Sequence, residues 1–125
     1  MSPERRPVVL LVDDDPRILS ALRRTLRREG YELLLAETPE AALALLEQRS
    51  VDCVLSDHKM PRMTGLRLLE RVALQHPAAG RLLITGWNAE IAEDELARSG
   101  VSRVLAKPWD DAELKRALHD ALRGD

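Results

Sequence analysis

The chain has 125 residues, a length that suits one domain with one hydrophobic core. Hydrophobic residues make up 45% of it and charged residues 32%, a balance typical of a folded chain. The formal net charge of -2 argues against attraction of the whole chain to nucleic acid or to an anionic membrane. An aromatic content of 2% argues against a surface that stacks bases, so we expect neither direct nucleic-acid binding nor membrane association.

The single cysteine and the first apolar run indicate the cellular compartment in which the protein resides. Cys53 has no partner for an internal disulfide, and its place within an apolar run predicts a small buried side chain rather than a reactive thiol. The run from Val8 to Val12 is too short for a signal-peptide core or a membrane span, and Asp13 ends it. We therefore expect a cytoplasmic protein.

Five short apolar runs alternate with longer amphipathic segments along the chain. At least three of the runs are almost continuously aliphatic, as in strands that helices cover on both faces. The predicted strands are Val8 to Val12, Glu32 to Ala36, Val51 to Ser56, Arg81 to Thr85 and Ser102 to Ala106.

Helix start and stop signals lie between the predicted strands. Five strand–helix pairs predict a single α/β domain over residues 1–125, with a parallel sheet and helices on both of its faces. The start signals are Asp15-Pro16, Thr38-Pro39, Thr64, Asn88 and Asp110, and the stop signals are Gly30, His76-Pro77, Gly100 and Gly124.

Polar side chains stand at the ends of the predicted strands. Functional groups of such sheets collect beyond the carboxyl ends of the strands, so we expect these side chains to lie close together. They are Asp13, Asp14 and Asp15 after the first strand, Glu37 after the second, Asp57 after the third, Thr85 at the end of the fourth and Lys107 after the fifth.

The residue types at these strand ends suit phosphoryl transfer to a carboxylate. Crowded carboxylates repel one another, and Mg²⁺ relieves the repulsion by taking their oxygen atoms as ligands. A hydroxyl and an ammonium can bind the remaining oxygen atoms of a phosphoryl group. A solvated turn would account for Asp13 and Asp14, but not for Asp57, Thr85 and Lys107 at neighbouring strand ends. Asp15 precedes a proline and is expected to cap a helix.

Four segments, in this order, resemble the signatures of response-regulator receiver domains, and the resemblance covers essentially the full chain. The segments are Leu-Val-Asp-Asp-Asp-Pro, Leu-Ser-Asp-His-Lys-Met-Pro-Arg-Met-Thr-Gly, Leu-Ile-Thr-Gly and Ala-Lys-Pro-Trp. The resemblance implies a flavodoxin-like, doubly wound, five-stranded parallel sheet with strand order 2-1-3-4-5 and five helices. It also implies a phosphoacceptor module of a two-component system, whose only chemistry is its own phosphorylation and dephosphorylation.

The resemblance implies a role for each acidic residue of the site. Asp57 matches the phosphoacceptor and Asp14 matches a direct ligand of Mg²⁺, whereas Asp13 corresponds to an aspartate that usually acts through water. The backbone carbonyl of Lys59 matches the remaining protein ligand of the metal.

The switch residues follow from the same resemblance. Thr85 matches the hydroxyl that shifts toward the phosphoryl group, Lys107 the residue that pairs with that group, and Pro108 a proline that often follows a cis bond. Val104 stands where receivers usually have an aromatic ring that changes rotamer. Because valine has one stiff side-chain torsion, we expect the signal to travel through the loop around Thr85 and Gly86 or through the fourth helix.

Two further positions concern the lifetime of the phosphorylated state. Lys59 and Trp87 correspond to the receiver positions that border the path of the hydrolytic water, and the indole of Trp87 could exclude that water. Trp109 follows Lys107-Pro108 as in receivers attached to cyclic-dinucleotide phosphodiesterase domains or to some transcriptional activators.

The implied partners are a sensor histidine kinase or a histidine phosphotransfer protein. An output domain on a longer chain is possible, and so is a homodimer through the fourth helix, the fifth strand and the fifth helix. Contact with the phosphodonor protein near the first helix would involve Arg17 and Ile18.

Two alternatives remain open at the level of sequence. A haloacid-dehalogenase-like phosphatase would use the spacing Asp13-x-Asp15, although Asp57 would then have no task and the chain is short for that fold. A flavodoxin-like cofactor binder or a pseudo-receiver that works without phosphate is the other, although no Gly-rich phosphate loop follows the first strand.

Overall fold

The computed structural model describes residues 6–86 and 91–124, and within them the expected fold is confirmed. Five parallel strands lie in the order 2-1-3-4-5, with helices on both faces of the sheet. The strands are β1 (Val8–Val12), β2 (Glu32–Ala36), β3 (Cys53–Asp57), β4 (Gly80–Gly86) and β5 (Arg103–Lys107). The helices are α1 (Pro16–Leu26), α2 (Pro39–Gln48), α3 (Gly65–Gln75), α4 (Glu93–Ser99) and α5 (Asp111–Leu122).

Three strands differ from the predicted bounds at their ends. The expectation that Asp57 and Lys107 follow their strands is wrong, because Asp57 is the last residue of β3 and Lys107 the last of β5. Their backbones stay in register with Ile84 and Gly86 of β4, which itself runs from Gly80 to Gly86. Backbone hydrogen bonds between parallel strands do not depend on an apolar side chain. Strands β3 and β5 therefore each continue one residue beyond the apolar run that predicted them.

The cap residues predicted for four helices are confirmed. The side chains of Asp15, Thr38, Thr64 and Asp110 each accept a hydrogen bond from a backbone N–H in the first turn of their helix. Gly30 does not end α1 directly, because the helix stops at Leu26 and a turn links it to that glycine, which has φ 85°.

The start of the fourth helix was wrongly expected at Asn88. Helix α4 begins at Glu93 with Ala92 at its N-cap, and no side chain among the described residues caps it. Asn88 lies outside the described residues. The helix ends as predicted at Gly100, whose φ of 66° is left-handed.

Two aliphatic cores, one on each face of the sheet, hold the strands in place. One lies under α1 and α5 and the other under α2 and α3. Cys53 belongs to the first core and is fully buried, which raises the pKa of its thiol to about 12. The thiol is therefore neutral near pH 7, as the expected small hydrophobic residue. Among the described residues, no helix is long and apolar enough to cross a membrane.

Candidate functional site

Three carboxylates meet where β1 and β3 end. Val12 of β1 is in register with Ser56 of β3, so the residues that follow them, Asp13 and Asp57, stand side by side. One oxygen atom from each of Asp13, Asp14 and Asp57 lies within 4.8 Å of the others. Oxygen donors at this spacing fit a hard divalent cation such as Mg²⁺.

The three carboxylates differ in their exposure to solvent. Asp13 is fully buried and Asp57 is 4% exposed, whereas Asp14 is exposed. Asp14 also lines a cavity of about 380 Å³ beside the site, together with Glu37 and Glu40. The site is thus open to solvent on the side of Asp14 and closed behind the other two acids.

Asp13 is held by hydrogen bonds on both of its carboxylate oxygens. Its Oδ1 atom accepts from the backbone N–H of Asp15 at 2.9 Å, and its Oδ2 atom accepts from Nζ of Lys107 at 2.9 Å. Its own N–H donates to the carbonyl of Ala36 in β2. The position of Asp13 is therefore fixed by three different segments.

The carboxyl of Asp57 titrates above its ordinary range. Burial raises its pKa, the hydrogen bond from Lys107 lowers it, and the negative charges of Asp13 and Asp14 raise it further. A cation bound between the three acids would remove this repulsion and favour the charged form of Asp57.

Lys107 joins two of the acids across the site. Its Nζ atom lies 2.9 Å from Asp13 Oδ2 and 3.1 Å from Asp57 Oδ1, and its side chain is 22% exposed. Burial lowers the pKa of Lys107, but the hydrogen bonds to Asp57 and Asp13 outweigh this effect and raise it overall. The ammonium stays charged and can bind an anionic group on Asp57.

Thr85 lies on β4, between the strands that carry Asp57 and Lys107. The residue is 7% exposed, and its hydroxyl donates to the carbonyl of Gly86 at 3.4 Å. This distance exceeds the usual upper value of about 3.0 Å for an O–H donor, so the hydrogen bond is weak and the hydroxyl can exchange it for a stronger acceptor.

The loop between β3 and α3 folds back onto the backbone of Asp57. The N–H of Gly65 donates to the carbonyl of His58 at 2.8 Å, and an added Cβ at Gly65 would meet the carbonyl oxygen of Asp57 at 2.0 Å. Only glycine fits there, so Gly65 allows the loop to approach the backbone of Asp57 this closely. Lys59 lies in this loop with an exposed side chain, and Arg62 has φ 73°.

The remaining expected residues fall into three groups. Asp15 caps α1 and accepts a hydrogen bond from the Arg17 side chain, which holds the pKa of Asp15 below its usual range. Val104 is 40% exposed on β5, and the bond before Pro108 is cis. Trp87 lies outside the described residues.

Sequence reasoning missed one group of polar residues at the start of α5. The side chain of Asp111 at the start of α5 accepts hydrogen bonds from Trp109 and from Thr25 of α1. A Trp-x-Asp spacing is too common to indicate a function, and Thr25 is 86 residues away from Asp111. No local signal in the sequence could have joined them.

Comparison with known proteins gives a consistent picture. The family model described as "Response regulator receiver domain" matches residues 9–119. The transcriptional regulatory protein GlrR of Escherichia coli is 34% identical over 114 residues, which cover 91% of this chain and 26% of that protein. The hydrogenase transcriptional regulatory protein HoxA of Cupriavidus necator is 35% identical over 109 residues, which cover 85% of this chain and 22% of that protein.

The chain thus spans about a quarter of the length of these curated relatives. Among solved structures, a signal receiver domain of an HD domain-containing protein from Pseudomonas fluorescens superposes with a TM-score of 0.87 at 40% identity. That match covers 96% of this chain and 97% of the other.

Proposed function

The chain belongs to the response regulator receiver domain family, and we propose that it is a phosphoacceptor that takes a phosphoryl group on Asp57 in the presence of Mg²⁺. One observation carries the proposal. Three carboxylates lie within 4.8 Å of one another, and the ammonium of Lys107 contacts two of them. A solvated acidic turn would not be buried at two strand ends and joined to a lysine from a third strand.

The proposed reaction transfers a phosphoryl group from a phosphohistidine of a sensor kinase or phosphotransfer protein. The P–N bond breaks, and a carboxylate oxygen of Asp57 forms the new P–O bond. Lys107 would then exchange its contact with the Asp57 oxygen for one with a phosphoryl oxygen. Its retained contact with Asp13 would keep the ammonium in place.

The acidic cluster fits the metal that this reaction needs. Asp13, Asp14 and Asp57 would hold Mg²⁺ together with the backbone carbonyl of Lys59, Asp13 acting through water. When bound, Mg²⁺ supplies positive charge that neutralises the carboxylates and the phosphoryl oxygen atoms. The open side of the site, lined by Asp14, offers an approach for the donor.

Thr85 is the proposed switch residue. Its hydroxyl would leave the carbonyl of Gly86, to which it donates at 3.4 Å, and donate to a phosphoryl oxygen instead. Val104 has no ring to follow that movement. We therefore propose that the output is changed by the loop around Thr85 and Gly86 or by α4.

The module would act through its partners and not through turnover of a separate substrate. We propose one receiver domain over residues 1–125, in the cytoplasm, whose output is either a domain on a longer chain or a partner protein. The relatives named as transcriptional regulators support an attached output domain. We also propose a homodimer through α4, β5 and α5, for which the position of β5 at the edge of the sheet is the supporting observation.

Intact-protein mass spectrometry after incubation with acetyl phosphate and Mg²⁺ tests the proposal. We expect one added phosphoryl group in the wild type, and none after chelation or in Asp57→Asn. Asp15→Asn is the matched control, because it removes a charge from the same acidic triplet and keeps a good helix cap. It should label like the wild type.

The rival functions predict different results in the same assay. Stable labelling lost in Asp13→Asn but kept in Asp57→Asn, together with turnover of a generic phosphate ester, would favour the phosphatase. Absence of both labelling and beryllofluoride binding would favour a pseudo-receiver.

The lifetime of the phosphorylated protein tests the roles of Lys59 and Trp87. If the indole of Trp87 shields the acyl phosphate from water, Trp87→Ala should lose its phosphate faster than the wild type, by about tenfold for one opened water path. Leu74→Ala serves as the control, because it removes a large apolar side chain that is 78% exposed on α3 and takes no part in the site. An unchanged lifetime in Trp87→Ala would rule out the shielding role, and Lys59→Ala tests the second position in the same way.

A further inference from the structure

Asp111 connects two helices with the loop that follows β5. Its Oδ1 atom accepts a hydrogen bond from Nε1 of Trp109 at 3.0 Å and another from the hydroxyl of Thr25 at 3.2 Å. Asp111 is the first residue of α5, and Thr25 lies in the last turn of α1. We call Thr25, Trp109 and Asp111 the clamp.

Apolar packing supports the clamp. The indole of Trp109 is partly buried and packs against the core under α1 and α5, as does Ile18 of α1. The loop after β5 is therefore attached to α1 twice, through this core and through the carboxylate of Asp111. A tryptophan combines a large apolar area with one N–H donor, which suits such a position.

The clamp lies close to Lys107 along the chain. Trp109 is two residues beyond Lys107, so their Cα atoms are at most about 7 Å apart. Lys107 contacts Asp13 and Asp57 with its Nζ atom. The segment 107–111 is thus held at its first residue by the acids of the site and at its last by α1.

Lys107 needs such support because β5 is an edge strand. Among the described strands it pairs with β4 alone, and Leu105 is its one buried residue. By contrast, β3 has a strand on each side and is buried throughout. The sheet alone constrains the lysine less than it constrains Asp57.

We propose that the clamp positions Lys107 for phosphoryl binding. Thr25, Trp109 and Asp111 are positioning residues that act through Lys107 and do not touch the phosphoryl group. This inference rests on the proposed phosphoacceptor function, and it adds α1 to the parts of the molecule that set the rate of phosphorylation. Supporting groups of this kind determine how well a reactive group is preorganised.

Labelling rates with acetyl phosphate and Mg²⁺ test the clamp. Asp111→Ala removes the acceptor for both donors and should slow labelling about fivefold, the change that a hydrogen bond of ordinary net strength gives. Asp111→Asn keeps an acceptor oxygen and should restore a rate near that of the wild type. Glu113→Ala is the matched control, because it removes a carboxylate from the same first turn of α5.

Two variants separate the hydrogen bonds from packing and folding. Thr25→Val removes one donor and keeps the side-chain shape, and Trp109→Phe removes the other donor and keeps an aromatic ring. Each should produce part of the Asp111→Ala effect, and Thr25→Val does so without a loss of packing. Ser20→Ala, an exposed hydroxyl of the same helix, should change nothing. Thermal unfolding of every variant shows whether it is folded at the assay temperature.

A double-mutant cycle with Lys107→Ala distinguishes positioning from a purely structural role. If the clamp acts through Lys107, Asp111→Ala should have no further effect on the labelling rate or on beryllofluoride affinity once Lys107 is removed. A fivefold effect that persists in the Lys107→Ala background would overturn the positioning role.

The outcomes also separate this inference from the proposed function. A wild type that is not labelled and does not bind beryllofluoride would overturn the proposed function and the inference with it. A wild type that is labelled, with Asp111→Ala and Thr25→Val as fast as the wild type, would overturn the inference alone.

Discussion

The strands that carry the carboxylates of the site and the strand that carries its lysine are packed very differently. All five residues of β1 and all five of β3 are buried, and the side chains of Asp13 and Asp57 are 0% and 6% exposed. In β5 only Leu105 is buried, Val104 is 40% exposed, and the side chain of Lys107 is 22% exposed.

This difference separates two tasks within one site. The central strands fix the nucleophile and its acidic neighbours, because any displacement there would disturb the cores on both faces of the sheet. The edge strand presents a long cationic side chain that has to adjust to the group placed on Asp57. A site of this kind combines a rigid acceptor with a responsive partner, and each half can be tested separately.

The largest loss of stability is expected from a methyl group added next to Asp57, in the rigid half of the site that β1 and β3 form. In Gly65→Ala the new Cβ would lie 2.0 Å from the carbonyl oxygen of Asp57 and 2.9 Å from Cα of His58, both backbone atoms that cannot turn away. We expect a loss of about 3 kcal/mol in the free energy of unfolding, although alanine is the better helix former. Urea unfolding measures this loss.

The control for this prediction is Gly86→Ala, at the end of β4, where Gly86 is in register with Lys107 of the edge strand. An added Cβ at Gly86 would have no atom within 4 Å, so its stability should stay within about 0.5 kcal/mol of the wild type. Equal losses of unfolding free energy in Gly65→Ala and Gly86→Ala would contradict the conclusion that the surroundings of β3, the strand of the phosphoacceptor, are the more tightly packed.

A second pair of variants compares the same substitution in the two halves. Val54 is fully buried in β3 and Val104 is 40% exposed in β5. Val54→Ala should cost about 2 kcal/mol of unfolding free energy through lost burial and a residual cavity, and Val104→Ala less than about 0.5 kcal/mol. A cost at Val104 as large as that at Val54 would show that the edge strand is packed more tightly than its exposure indicates.

The smallest effect is the change in environment expected at the side chain of Val104 when a phosphoryl analogue binds to the site. On binding of beryllofluoride and Mg²⁺, the methyl resonances of Val104 should shift much less than the methyl resonance of Thr85, because valine has no ring to turn inward. Methyl-labelled NMR spectra measure both residues, with Val54 as a buried reference. A relocation of Val104 comparable to a change of ring rotamer would refute the proposed route of the signal.

The fold and most of the site could be predicted because they follow local rules. Aliphatic runs and cap residues such as Thr38 and Thr64 act within a few residues, and they located the strands and the starts of four helices closely. The errors occurred where backbone pairing continued beyond the apolar run, at Asp57 and Lys107, and at two helix ends. Helix α1 stops at Leu26 and not at Gly30, and no side chain among the described residues caps α4.

The sequence by itself determined the order of strands and helices, the strand ends at which Asp13, Asp57, Thr85 and Lys107 stand, and the family to which the chain is similar. These features depend on residue type and spacing along the chain. Tertiary structure alone decided the burial of the acids, the pairing of Lys107 with both Asp13 and Asp57, and the contact of Asp111 with Thr25. Those contacts join residues 50, 86 and 94 positions apart, a separation at which no sequence pattern fixes a distance of 3 Å.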